Sequence, residues 1–278
     1  MKPSRSAATP AADAPATRLM WIDADRTFYA GLLGVPSVRS LGAFTVYASL
    51  EAPVRVCLQD EEWQQCALAV VPPFLPHRVQ CEGRLIGVLL IEPETLALDR
   101  LPGFLRSGQG ALHEPVLLER IRATYARLRD AGSTADLSTA NFDLTLWGEC
   151  LPRRVLEPRI QAVVDAIKRD PRGRFSADDC AASVQLSSWR FLHLFKTELG
   201  VPFRNFRSWK RARSLLHYVT REASLVNIAL EAGYPDSTHF SHSIRQVFGL
   251  KPKDIFAGSR KLAVYGERPV KESPPRRT

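Results

Sequence analysis

The feature that most restricts this chain is an internal repeat in its C-terminal half. Phe191, His193, Phe195, Lys196, Leu199 and Gly200 each have a counterpart 49 residues later, in Phe240, His242, Ile244, Arg245, Phe248 and Gly249. Upstream the offset is 48, relating Ser176, Cys180, Ala181 and Leu186 to Ser224, Ile228, Ala229 and Tyr234. One unit has been duplicated, and the extra residue of the second copy falls in its turn region. Each copy reads as helix, tight turn, helix, over about 176–199 and 224–248. Ser176 and Ser224 suit the N-caps of the first helices. Ala181 and Ala229 are small where two helices must cross. Gly233 supplies the positive φ of the second turn. Gln185 stands there in the first copy, so that turn is expected to be strained or differently shaped.

The second helix of each copy has two faces. Phe191, Leu194 and Phe195 point inward, which leaves Trp189, Leu192, His193 and Lys196 outside. In the other copy Phe240, Ile244 and Phe248 point inward, and Ser237, Thr238, His239, Ser241, His242 and Arg245 remain outside. Hydroxyls and imidazoles can hydrogen-bond base edges in a major groove, and apolar groups can meet thymine methyls. Arg190, Lys196 and Arg245 suit phosphates. Two such helices about 34 Å apart on one face meet successive major-groove turns of double-stranded DNA. The charge is distributed accordingly. Residues 152–278 hold 24 Lys+Arg against 12 Asp+Glu, a balance of +12, whereas residues 1–151 hold 14 against 17, a balance of −3, which together give the net +9. A basic half joined to a mildly acidic one is expected of a module that sits on a polyanion and a module with another task. The plainer alternative is a duplicated helical bundle that never meets nucleic acid. The charge asymmetry, the helix-turn-helix spacing and the small polar outer faces argue against it.

The N-terminal half reads differently. Phe44, Val46 and Ala48 alternate with Thr45, Tyr47 and Ser49, and Val54, Val56 and Leu58 with Arg55, Cys57 and Gln59; Leu68–Val71 and Leu85–Ile91 are short apolar runs. Short strands at this spacing suggest a sandwich or barrel. A helix follows over Glu114–Asp130, with an apolar stripe at Val116, Leu117, Ile121, Tyr125 and Leu128, and a short helix over Asn141–Leu151. The fold class is therefore α+β. Residues 1–17 are expected to be a disordered tail, 18–151 a strand-rich domain with helices, 152–157 a linker, 158–258 a helical domain, and 259–278 a flexible tail. The five cysteines are odd in number and contain no C-x-x-C pair, which argues against a disulfide scaffold or zinc knuckle. No apolar run is long enough for a bilayer, and a cytoplasmic protein is expected.

The segments Leu186–Lys196, Thr197–Gly200, Ile228–Tyr234, Ser237–Ser241 and Phe248–Pro252 resemble the AraC/XylS family of bacterial transcription regulators, over about residues 157–257. The resemblance implies seven helices, two of them recognition helices. Trp189, Leu192 and His193 match base-reading places of the first, and Ser237, Thr238, His239, Ser241 and His242 those of the second. The family often carries basic or amide residues where Leu192 and His193 stand. More weakly, the N-terminal half resembles the family's cupin-like sensing domains. Pro72-Pro73-Phe74-Leu75-Pro76-His77 is similar to the second cupin motif, with Phe74 replacing a glycine. This implies a small-molecule effector pocket in a barrel, of residues the sequence does not specify, followed by dimerising helices. Glu114–Asp130 is either that homodimer helix or a helix packed on its own barrel.

The expected function is a ligand-responsive transcription regulator, an activator that meets RNA polymerase at a promoter and associates with the bacterial nucleoid when bound. Two alternatives are a cupin-type enzyme fused to a DNA-binding module and a ligand-independent architectural DNA binder. No catalytic site, metal or cofactor is expected. His77 has no His-x-His partner, and no nucleophile stands in a recognisable motif with a base. A separate strand-rich domain is not needed for bending DNA.

Overall fold

In the computed structural model the described residues are 17–32, 34, 36–83, 85–106, 108–132, 137, 140–219, 224–258 and 262–266. The expected N-terminal tail lies almost entirely outside them, as do residues 267–278. The strands are β1 (Leu19–Ile22), β2 (Arg26–Gly31), β3 (Phe44–Ser49), β4 (Val54–Leu58), β5 (Gln64–Cys66), β6 (Leu68–Val71), β7 (His77–Cys81), β8 (Ile86–Ile91), β9 (Gly110–Leu112) and β10 (Ala263–Gly266). Among the described residues they form a seven-stranded sheet, β10-β1-β2-β8-β3-β6-β9, and a three-stranded sheet, β5-β4-β7. The helices are α1 (Gly103–Arg106), α2 (Pro115–Ala131), α3 (Phe142–Leu146), α4 (Pro158–Arg169), α5 (Ala177–Ser183), α6 (Ser188–Leu199), α7 (Phe203–Ser214), α8 (Leu225–Glu231), α9 (Ser237–Phe248) and α10 (Pro252–Gly258).

All six residues of β3 are buried, not every second one. A strand covered on both faces has no solvated side to alternate with. Phe44, Val46 and Ala48 meet α2 and α3 through Leu117, Ile121, Leu128 and Phe142. On the other face Tyr47 packs with Val54, Val56 and Val79 of the small sheet. The apolar stripe of α2 packs on its own barrel through Leu117, Ile121, Tyr125 and Leu128, whereas Val116 is 66% exposed.

The expectation of a flexible tail from residue 259 is corrected for its described part. Ala263–Gly266 returns to the N-terminal domain and pairs in parallel with Leu19–Ile22. The Tyr265 hydroxyl donates to the Leu128 carbonyl at 3.0 Å. Alternation across four residues is too short a signal beside Pro- and Arg-rich sequence.

The helical half has two separate cores. The first unit closes on α4, with Ile160, Val164 and Ile167 against Phe191, Phe195 and Phe206. The core of the second unit is continuous with the barrel, joining Phe240, Ile244 and Val247 to Leu41, Ala43 and Leu90. Gly42 permits this contact: a Cβ there would lie 2.6 Å from the Trp209 Cβ.

Candidate nucleic-acid interface

The same local chemistry builds both units. Ser176 Oγ accepts from the Asp179 amide at 3.0 Å and Ser224 Oγ from the Asn227 amide at 3.2 Å, capping α5 and α8. Ser187 caps α6, accepting from the Arg190 amide at 3.4 Å. Asp236 caps α9 more strongly, accepting from the amides of Thr238 and His239, both at 2.8 Å, and pairing with His239 Nδ1 at 2.8 Å. These hydrogen bonds hold its carboxyl below the ordinary aspartate range.

The two turns have one geometry. Gln185 has φ 56° and Gly233 φ 74°, both left-handed. Leu186 and Tyr234, which follow them, donate to the carbonyls of Ala181 and Ala229 at 2.9 and 3.0 Å. The first turn is therefore strained but not differently shaped. Sterics explain why only the second needs glycine: a Cβ on Gly233 would lie 2.8 Å from the Arg172 carbonyl oxygen, whereas Gln185 is exposed.

The outer faces carry the expected residues. Trp189 is 74% and Leu192 41% exposed. His193 is exposed and stacks on Trp189, with ring centroids 5.6 Å apart and an interplanar angle of 6°. Arg190 and Lys196 are exposed, as are Ser237, Thr238, His239, His242 and Arg245, while Ser241 is half-buried. Trp189, Leu192, His193 and Lys196 form one stripe at helical spacing, and 49 residues on Thr238, Ser241, His242 and Arg245 form its equivalent.

The inner faces differ. That of α9 rests on the N-terminal domain, where the Ser40 amide donates to the Val247 carbonyl at 3.2 Å and the Ser37 hydroxyl to the Gly249 carbonyl. An ion cluster that the sequence reading missed fixes α7 to the same domain. Glu92, fully buried, accepts from Trp209 Nε1 at 2.8 Å, pairs with Arg213 Nε at 2.7 Å and, together with buried Glu94, holds the Lys210 ammonium. Burial opposes the charge on Lys210, and the two carboxylates outweigh it, so its pKa is raised. The signal was present in the sequence: Phe206, Trp209, Lys210 and Arg213 lie at i, i+3, i+4 and i+7, which puts two cations on the apolar face of α7.

Between the sheet and the second unit lies a cavity of about 250 Å³, lined mainly by apolar side chains such as Tyr29, Val88, Leu90, Leu216, Ile244 and Phe248. Its ionisable lining comprises Arg39, Asp254 and the hydroxyls of Tyr29 and Tyr47. Arg39 is 5% exposed, and its Nε and one terminal nitrogen have no hydrogen-bond partner among the described residues. The Tyr47 hydroxyl lies 2.8 Å from His77 Nε2, and His77 Nδ1 donates to the Leu75 carbonyl at 2.8 Å. Burial, then the Arg39 charge, pushes the His77 pKa down to about 4. His77 is thus a structural histidine. Phe74, at the place of a motif glycine, has φ 61° and packs into the interdomain core. The cysteines are free thiols. Among the described residues no three His, Cys, Asp or Glu side chains are grouped to hold a metal, and no helix is long and apolar enough to cross a membrane.

Two helix-turn-helix units on a linking helix, docked against a β-rich domain, define the helix-turn-helix class of DNA-binding folds. Residues 180–258 match the family described as "Helix-turn-helix domain". The match lies within the helical half of the chain and spans α6 to α10. Invasion protein InvF of Salmonella typhi is 30% identical over 71 residues, 25% of this chain and 33% of InvF, so the chain spans about a third of the length of the curated relatives it matches. Among solved structures, ToxT from Vibrio cholerae O395 aligns with a TM-score of 0.55 at 9% identity, over 84% of this chain and 96% of ToxT. Unsaturated-fatty-acid-bound ToxT from Vibrio cholerae strain SCE256 aligns at 0.53 and 11%, over 84% and 94%. At such identities the likeness is one of fold, and it covers both domains.

Proposed function

We propose that the protein is a ligand-responsive, sequence-specific DNA-binding transcription regulator. The observation that carries this reading is the pair of equivalent exposed stripes on α6 and α9. In it, Trp189, Leu192 and His193 read bases in one major groove, and Ser237, Thr238, His239, Ser241 and His242 read them in the next. Arg190, Lys196 and Arg245 hold phosphates. The protein works on bacterial chromosomal DNA in the cytoplasm and meets RNA polymerase beside a promoter.

The effector in this reading is an apolar carboxylic acid bound in the interdomain cavity. The walls supply apolar surface, and Arg39 supplies a buried guanidinium with free donors. A carboxylate accepts two parallel N–H bonds from such a fork. The relative ToxT has been seen with an unsaturated fatty acid. Because Phe240, Ile244 and Phe248 line the cavity, its occupant touches the inner face of α9 directly. Differential binding to two settings of α9 would then shift DNA affinity.

The test is binding to duplexes selected from a random pool and to unselected duplexes. Ser241→Ala and His242→Ala should reduce the ratio of specific to non-specific affinity. Lys196→Ala and Arg245→Ala should weaken both and lower the salt slope by about one each. An unchanged ratio in both α9 variants would overturn the assignment of that helix.

A further inference from the structure

Between the two units the surface opens into a groove lined by four arginines, Arg172 and Arg174 from the loop before α5 and Arg207 and Arg211 from α7. Asp179 is the acidic residue on its wall, and that carboxylate already accepts the Ser176 hydroxyl at 2.6 Å. Arg207 and Arg211 are one turn apart on the same face of α7, where like charges repel. Burial and the Arg211 charge hold the Arg207 pKa below the usual arginine range. Both guanidinium groups are held in place: Arg207 lies over the Phe203 ring at 5.6 Å and Arg211 over Tyr234 at 5.7 Å. Arg211 Nε is buried without a hydrogen-bond partner among the described residues. Arg172 is engaged, pairing with Asp170 at 3.8 Å and donating to the Glu231 carbonyl at 3.3 Å, so the ordered cationic forks that Asp179 does not neutralise are those of Arg207 and Arg211.

Its position names the anion. One wall is Ser176, the cap of α5, and Asp178 two residues on bonds Ser188, the first residue of α6. Gly233–Pro235, also in its lining, leads directly into Asp236, the cap of α9. The groove thus lies between the N-terminal ends of the two recognition helices. A duplex read by both must carry its backbone past it.

We propose that this arginine groove clamps the sugar-phosphate backbone of the DNA stretch between the two major-groove sites. The proposal rests on the DNA-binding reading, and it adds phosphate contacts distinct from those of Arg190, Lys196 and Arg245. Such contacts fix register and contribute salt-dependent affinity without reading sequence.

The test uses the full chain and a mixed-sequence duplex of about three helical turns, with affinity measured across a salt series. Each phosphate contact contributes about 0.9 to the slope of log affinity against log salt. Arg174→Gln with Arg207→Gln should lower that slope by about 1.8, with the thermal unfolding midpoint and the specificity ratio unchanged. Independently of any variant, ethylating phosphates midway between the two protected major grooves of a pool-selected duplex should block binding by the wild type. Wild-type binding with an unchanged variant slope and no midpoint interference would overturn the groove assignment alone. Failure of the wild type to bind any duplex would overturn the DNA-binding reading itself.

Discussion

Trp209 Nε1 donates a 2.8 Å hydrogen bond to Glu92 Oε2, across the boundary between the linking helix and the β-rich domain. Both residues are buried, and Glu92 also faces Lys210 and Arg213. This one carboxylate ties the helix that joins the two helix-turn-helix units to the β-rich domain that lines the cavity. Desolvation makes such a cluster costly to break from one side only. Glu92→Ala should destabilise the protein by about 3 kcal/mol, the lower end for orphaning a buried pair, since Lys210 keeps Glu94. Urea unfolding measures this, and a loss under about 1 kcal/mol would show the cluster to be dispensable.

Arg39 gives the second prediction. A buried guanidinium with free donors costs stability until an anion arrives. Arg39→Met should preserve or raise the melting temperature of the empty protein. It should also abolish the rise that a long-chain unsaturated fatty acid produces in the wild type, a rise of about 2.7 kcal/mol equivalent at a hundredfold excess over Kd. Differential scanning fluorimetry with the acid and its methyl ester reads both arms. Equal response to acid and ester would remove Arg39 from the site.

The repeat made the helical half legible because capping, turn and core positions recur at fixed offsets: Ser176 with Ser224, Phe191 with Phe240, Gln185 with Gly233. The outward residues followed from helical spacing alone. What could not be read was anything created by docking. Leu41, Leu90 and Ile244 are ordinary core residues in sequence, and only the tertiary approach permitted by Gly42 makes them one interface. Lys210 and Arg213 count toward the basic balance of this half, although their place on the apolar face of α7 marks them as buried. Arg39 lies in an irregular segment with no periodicity, so nothing local pointed to a cavity. Val247, buried on α9, was hidden behind the stronger aromatic signal of Phe248.

Gln185 yields a third prediction. A non-glycine residue at φ 56° carries a steric cost that glycine avoids. The side chain is exposed and holds no core position, so Gln185→Gly should stabilise the first unit by about 1 kcal/mol. Gly233→Ala should do the reverse by a larger margin, because its Cβ also meets the Arg172 carbonyl. Chemical denaturation of the two variants would show opposite signs, and destabilisation by Gln185→Gly would mean that the glutamine side chain contributes more than its turn costs.

The last prediction concerns acid. His77 is buried, donates through Nδ1 to Leu75 and accepts through Nε2 from Tyr47, with Arg39 close by. Burial, the largest cause, and the Arg39 charge favour the neutral ring and outweigh the Leu75 hydrogen bond, which favours the charged one, so its pKa falls from 6.5 to about 4. In the unfolded chain the ring protonates near its ordinary value, so below that pH the unfolded state binds more protons than the native one and stability rises with pH. The contribution is fully present above about pH 6.5 and is lost progressively as the pH falls toward 4, at up to about 1.4 kcal/mol per unit. Over the whole window this amounts to about 3 kcal/mol for His77. His217 is also pushed down to about 4, by burial and then by Arg213, but it is half-exposed and its share is smaller. Stability measured by urea titration from pH 7 to 4 should therefore fall with the slope of more than one proton. His77→Gln keeps a polar group beside Tyr47 without a titrating ring. It should lose about one proton of that slope, and a profile parallel to the wild type would place the acid sensitivity elsewhere.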